Sequence, residues 1–168
     1  MKNGFLILCC ILFSFKLLFS QKKQPKLIVG IVADQMCYDY LYRFQQKFGA
    51  NGFNKIMKLG TNCQFTQYNY VPTFTGPGHA SIYTGTTPAN HGIVANDWFD
   101  RSAQKLINCV DDETVTPVGT NSSDGLCSPH HLKTTTITDQ LKLTYPNAKV
   151  LSMSIKDRGA ILPGGHLS

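Results

Sequence analysis

The run Lys26-Leu27-Ile28-Val29-Gly30-Ile31-Val32-Ala33-Asp34 constrains the fold more than any other part of the chain. It is apolar without alternation, rich in β-branched residues, and closed by a carboxylate. Such a run predicts a strand buried on both faces, as in the middle of a parallel sheet. Parallel neighbours need crossovers, and the chain beyond Asp34 supplies them. Residues 39–59 read as two helical stretches broken around Gly49-Ala50-Asn51-Gly52, and 63–71 alternate enough for a second strand. Thr75-Gly76-Pro77-Gly78 predicts a turn opening onto a helix from His79 to Tyr83. Residues 86–92 read as loop, 98–110 as a hairpin, 111–131 as a polar surface loop, 133–145 as a helix ending before Pro146, and 148–155 as a third strand. Strands and helices in this order argue an α/β fold with a mostly parallel sheet flanked by helices.

The first twenty residues set the compartment. A basic start at Lys2 leads into the apolar residues 5–13 and Leu17-Leu18-Phe19-Ser20 before the polar Gln21-Lys22-Lys23-Gln24. This reads as a secretory signal peptide over 1–20, cleaved near Ser20. Lys16 interrupts the apolar run, which falls short of the ~20 residues a spanning helix needs. A periplasmic or secreted protein, free of the membrane after cleavage, is the expectation. Taking those 20 residues off the 168 leaves 148, enough for one domain of ordinary size. The remainder carries 14 basic and 10 acidic side chains, a net of +4 against +6 for the whole chain. No basic stripe is present, so no nucleic-acid partner is expected. Four cysteines remain, Cys37, Cys63, Cys109 and Cys127, none in C-x-x-C spacing. A bridge between Cys109 and Cys127 across their polar loop is one reading, and four small buried hydrophobes is the other.

Ligands of open α/β sheets bind beyond the carboxyl ends of the strands. There this sequence offers Asp34, the segment Pro72 to His79, and Lys156-Asp157-Arg158-Gly159. A carboxylate, a hydroxyl at a helix start and two cations suit phosphoryl transfer, in which positioning and charge stabilisation dominate. A threonine hydroxyl is a poor nucleophile until a metal lowers its pKa, and Asp34 is a suitable hard ligand for zinc. The helix after Thr75 is expected to offer free N–H groups to a phosphate, with Lys156 and Arg158 holding its other oxygens. Plainer readings exist for each residue. Asp34 could cap a helix, Thr75 could be an N-cap, and His79 could be a satisfied polar group. Lys156 and Arg158, two apart in an extended segment, could share a solvated face.

Thr75-Gly76-Pro77-Gly78-His79-Ala80-Ser81-Ile82-Tyr83-Thr84-Gly85, followed by His91-Gly92-Ile93-Val94-Ala95-Asn96, resembles the nucleophile segment of the alkaline phosphatase superfamily, specifically the bacterial PafA-like alkaline phosphatases. The resemblance extends from Leu27 to His166. It implies that Thr75 is the phosphorylated nucleophile and, with Asp34, a zinc ligand. It also implies that Asn96, Lys156 and Arg158 bind the phosphoryl oxygens of a small-molecule phosphate monoester. Sulfatases of the same fold carry a C/S-x-P-x-R motif where this chain has Thr75-Gly76-Pro77-Gly78-His79.

In that family the two zinc ions take most of their ligands from Asp and His residues further along than this sequence runs. Residues 21–168 are therefore expected to be the N-terminal part of a catalytic domain, incomplete as it stands. Two alternatives stay open: a non-catalytic secreted fragment or remnant, and a phosphodiesterase or nucleotide pyrophosphatase relative.

Overall fold

The computed structural model describes residues 25–168, so the expected signal peptide lies outside the described residues. The chain divides into two units, Met1–Val32 and Ala33–Ser168. In the first, residues 25–32 are irregular, and Leu27, Ile28, Val29 and Ile31 are exposed.

The second unit is built from six α-helices, two short 3₁₀ turns (Gln45–Lys47 and Ser123–Gly125) and one hairpin among the described residues. The helices are α1 (Tyr40–Arg43), α2 (Phe53–Leu59), α3 (Thr75–Thr84), α4 (Pro88–His91), α5 (Ile137–Thr144) and α6 (Asp157–Gly164). Strands β1 (Asp97–Asp100) and β2 (Lys105–Asn108) pair antiparallel, with Trp98 opposite Ile107. The hairpin forms because its partner is four residues away. The Asp100 carboxylate accepts from the Ser102 and Ala103 amides at 2.7 and 3.0 Å and closes the turn.

The three strands expected at 26–34, 63–71 and 148–155 are not formed as ladders among the described residues. A parallel strand has no local turn to supply its partner, so it forms only where distant chain lies beside it. Phe65, Val71, Leu151, Met153 and Ile155 accordingly remain exposed. Ser152, between two of them, instead turns its hydroxyl onto the Ala160 carbonyl of α6 at 2.7 Å.

Helix limits also shift for identifiable reasons. α3 starts at Thr75, four residues before the expected His79, because proline is tolerated in a first turn where no N–H is needed. Gly85 ends it in the left-handed region, at φ 69°. Residues expected as plain loop hold the single turn α4. α5 begins at Ile137 rather than 133, because Thr136 and Asp139 form a reciprocal capping box there. Asp139 is fully buried, and its second oxygen accepts from the Leu167 amide at 2.8 Å, tying α5 to the chain past α6. α6 itself departs from the sequence pattern, which suggests extended chain through Arg158.

The core holds Ala80, Ile93, Cys109, Val110, Leu132 and Leu162, with Trp98, Cys127 and Ile161 packed against it. Ala80 comes from α3 and Leu162 from α6, and these two helices make the most extensive helix contact of the unit. Their first turns therefore lie together, which positions the site.

Candidate active site

Thr75 opens α3 after Phe74, whose backbone is extended (φ −65°, ψ 168°). Its hydroxyl donates to Asp34 Oδ2 at 3.3 Å. The Lys156 ammonium donates to the same Asp34 oxygen at 2.6 Å and lies 3.4 Å from Thr75 Oγ1. Carboxylate, hydroxyl and ammonium thus form a triangle from residues 41 and 81 positions apart on either side of Thr75. The hydrogen bond from Lys156 holds the Asp34 carboxyl below its ordinary value, against the opposing pull of partial burial. Immediately after Asp34, Gln35 takes φ 58°, so the chain turns away through the left-handed region just beyond the carboxylate.

Asn96 enters from behind the helix. The Gly76 amide donates to its Oδ1 at 2.8 Å, and the Cys109 amide donates to its main-chain carbonyl at 2.8 Å. A backbone N–H can only donate, so the Asn96 side chain must present oxygen to Gly76 and keep its NH₂ for another acceptor. Gly76 is tightly enclosed: a Cβ there would stand 3.0 Å from Cys109 Sγ, 3.2 Å from Asn96 Oδ1 and 3.3 Å from the Ala95 carbonyl, so a larger residue requires these neighbours to give by a few tenths of an ångström. Burial pushes the Cys109 thiol up to about 12, so this wall is uncharged.

The expected row of free helix amides is corrected by this arrangement. Gly76 N–H is taken by Asn96, Pro77 has none, and Gly78 N–H bonds the Phe74 carbonyl at 2.9 Å. Among the described residues, Thr75 N–H is the one uncommitted amide of the turn. An anion at this turn would meet side-chain donors and the Thr75 amide.

Lys156 is the N-cap of α6 and keeps extended backbone, while Arg158 is its second helical residue. They do not share an extended face, as the spacing suggests. Among the described residues the Arg158 guanidinium is held only by Asp157, at 3.3 Å, and its Nε is buried without a partner. Its charge is felt by the Cys109 thiol, whose sulfur abuts Gly76. Gly159 lets this turn come close, since a Cβ there would lie 2.5 Å from Ser154 Oγ and 3.9 Å from His79 Nε2.

Of the five expected residues, Asp34, Thr75 and Lys156 are brought into direct contact. Asn96 joins through Gly76, and Arg158 hydrogen-bonds to none of them. Two further residues touch the site. His79 Nδ1 donates to the Thr75 carbonyl at 2.8 Å, and the Tyr68 hydroxyl donates to the Gly78 carbonyl at 3.3 Å. For His79, the spacing of one helical turn from Thr75 is a legible signal. Burial raises the Tyr68 hydroxyl above its ordinary range, and nothing in its sequence context signals that role.

A metal at this place would meet two oxygens, Asp34 Oδ2 and Thr75 Oγ1. Both are hard donors that suit zinc. No group of three or more His, Cys, Asp or Glu able to hold an ion occurs among the described residues, so the donors present fit part of a zinc site and do not close one. All four cysteines of the described residues are free thiols, and the Cys109–Cys127 bridge is not formed.

The family model for type I phosphodiesterase / nucleotide pyrophosphatase matches residues 28–152. The chain is similar to alkaline phosphatase PhoV of Synechococcus elongatus, 51% identical over 144 residues that cover 85% of this chain and 26% of that protein. It is similar to alkaline phosphatase PafA of Elizabethkingia meningoseptica, 50% identical over 145 residues, covering 85% of this chain and 27% of the relative. The crystal structure of wild-type PafA superposes with a TM-score of 0.84 at 47% identity, over 88% of this chain and 29% of that one. PafA has also been solved with a threonine, an asparagine, a lysine and an arginine replaced. The superposition shows the α/β alkaline-phosphatase-like core in part. The chain spans about a quarter of the length of these curated relatives.

Proposed function

Since this chain belongs to the type I phosphodiesterase / nucleotide pyrophosphatase family and is similar to alkaline phosphatases over most of its length, we propose that it serves a phosphomonoesterase in which Thr75 is the nucleophile. The observation that carries this reading is the triangle of Thr75 Oγ1, Asp34 Oδ2 and Lys156 Nζ, with separations of 3.3, 2.6 and 3.4 Å.

In the proposed reaction Thr75 Oγ1 attacks phosphorus, the ester oxygen leaves, and a phosphothreonine forms that water then hydrolyses. The Lys156 ammonium lies close enough to Thr75 Oγ1 to stabilise negative charge on it. Asn96 NH₂, left free by the Gly76 bond, donates to one phosphoryl oxygen. Arg158, with a buried Nε and a weak hold on Asp157, supplies the planar donor fork for another. The residue types replaced in the solved PafA variant, a threonine, an asparagine, a lysine and an arginine, are those of this set. Zinc, two ions in all, is the proposed cofactor, with Asp34 and Thr75 as two of the ligands; when bound it would lower the pKa of the threonine hydroxyl. The substrates are small phosphate monoesters, and the leader over residues 1–20 places the protein in the periplasm or outside the cell.

The family description itself favours a second reading, phosphodiester hydrolysis by the same nucleophile. Both readings share one test. After incubation with an aryl phosphate and an acid quench, mass spectrometry should find phosphate on Thr75. Phosphate on Ser81 or Thr84 instead would exclude Thr75.

A further inference from the structure

A second polar cluster lies behind α3, and none of the roles above uses it. His91, the last residue of α4, has no exposed surface. Its Nδ1 lies 3.1 Å from the Ile93 amide and its Nε2 lies 2.9 Å from Ser81 Oγ. Ser81 Oγ is 2.7 Å from the Tyr70 hydroxyl, which in turn lies 3.0 Å from the Pro77 carbonyl.

The two ends of this chain fix the direction of every bond in it. The Ile93 N–H can only donate, so Nδ1 is an acceptor and the ring proton sits on Nε2. Nε2–H therefore donates to Ser81. The Pro77 carbonyl can only accept, so Tyr70 donates to it, and Ser81 donates to Tyr70. A serine beside a histidine suggests a hydrolytic pair, but the nitrogen facing Ser81 is already protonated and cannot take up its proton. Within this hydrogen-bonded network Tyr70 is the only titratable group besides the ring. No carboxylate or ammonium hydrogen-bonds to the ring among the described residues, and the Lys133 side chain lies over Gly92 rather than on the ring.

We infer that His91 is a positioning residue: through Ser81 and Tyr70 it clamps the Pro77 carbonyl and so fixes the first turn of α3, on which Thr75 and the Gly76 anchor of Asn96 stand. Pro77 makes such a clamp useful. It removes one N–H from the turn, and Gly76 and Gly78 on either side are the most flexible residues available. A clamp on the carbonyl between them restrains the backbone without occupying the site. The catalytic part of this inference rests on Thr75 being the nucleophile.

Two measurements test it. In the histidine-¹⁵N-labelled protein, His91 should show the neutral Nε2–H tautomer and keep it as pH falls through the ordinary histidine value of about 6.5. An Nδ1–H tautomer, or ordinary titration, overturns the network. Tyr70→Phe then cuts the last bond while keeping the ring. On an aryl phosphate monoester it should lower kcat about tenfold and change KM less than twofold, as a misplaced nucleophile does. His91→Gln, whose amide can still donate to Ser81, should recover most of what His91→Ala loses. Unchanged kcat in Tyr70→Phe, or equal loss in His91→Gln and His91→Ala, overturns the positioning role. If the full-length wild-type protein, with its metal site closed, releases no phosphate from monoesters, the reading of Thr75 fails instead. Amide exchange then decides the clamp: faster exchange at Gly78 in Tyr70→Phe supports it, and an unchanged rate overturns it.

Discussion

The Gly76 amide nitrogen lies 2.8 Å from Asn96 Oδ1, and this bond decides which end of the Asn96 amide faces the site. Asn96→Asp keeps the acceptor for Gly76 but replaces the outward NH₂ with a second oxygen. It should fold normally while losing activity on phosphate monoesters by about a hundred- to thousandfold, the scale of removing one preorganised donor. Gly76→Ala should fail differently. Its Cβ meets Cys109 Sγ at 3.0 Å and the Ala95 carbonyl at 3.3 Å, so the helix start or these neighbours must give by a few tenths of an ångström. Melting curves beside initial rates separate the two: a normal melt with lost activity for Asn96→Asp, a lowered melt for Gly76→Ala. A stable, active Asn96→Asp would remove the donor role.

Thr75 tests the chemistry most directly. Thr75→Ala should lower kcat by a factor on the order of 10⁴ or more, because among the described residues no other hydroxyl hydrogen-bonds to both Asp34 and Lys156. Thr75→Ser should stay within about tenfold, since the oxygen survives and the loss is one methyl with its hold on χ1. Steady-state rates with phosphopeptide mapping decide it. An active Thr75→Ala would place the nucleophile elsewhere.

How far the sequence anticipates this site depends on how local each feature is. That a helix follows Phe74 is legible from Thr75-Gly76-Pro77-Gly78, although this segment forms the first turn of α3 and not the turn before it, and the β1–β2 hairpin is legible because its partners are adjacent. The run 26–34 signals burial on both faces, yet Leu27, Ile28, Val29 and Ile31 are exposed, because a parallel ladder depends on chain far away in sequence. The sequence groups Lys156 and Arg158 with Asp34 and Thr75, but through a geometry that does not exist. Lys156 caps α6 and Arg158 lies inside it, and the Lys156 side chain reaches Asp34 across 122 positions. The use of Gly76 N–H by Asn96, which removes it from anion binding, is a tertiary fact with no trace in local pattern.

Thiol reactivity checks the packing around Gly76. Cys37 and Cys63 are exposed and Cys109 is buried, its thiol pushed up to about 12. At pH 8 the Cys109 thiolate fraction is on the order of one in ten thousand, so iodoacetamide should label Cys37 and Cys63 within minutes and leave Cys109 untouched until denaturant is added. Peptide mapping reads this out. Rapid native labelling of Cys109, or a Cys109–Cys127 peptide pair joined before reduction, would contradict the packing.

Substrate class turns on the difference between the two cations at the start of α6. Lys156 donates to Asp34 at 2.6 Å and sits 3.4 Å from Thr75 Oγ1, so in the proposed reaction it would act on the Thr75 oxygen whatever the substrate. Among the described residues Arg158 bonds only Asp157, at 3.3 Å, and its buried Nε has no partner, which in the proposed reaction leaves its donors for the substrate. A phosphate monoester carries more negative charge on its non-bridging oxygens than a diester, in which a second ester group replaces one of them. Lys156→Ala should therefore lower kcat/KM on both substrate classes by about a hundredfold or more. Arg158→Ala should do so for monoesters and much less for diesters, narrowing the preference between them. Were these cations only part of a solvated face, either change would cost within about 0.5 kcal/mol, roughly twofold in rate. Matched aryl monoester and diester substrates make the comparison. Equal losses on the two in Arg158→Ala would favour the diesterase reading, because an arginine that cannot tell the substrates apart gives no reason to prefer the dianion.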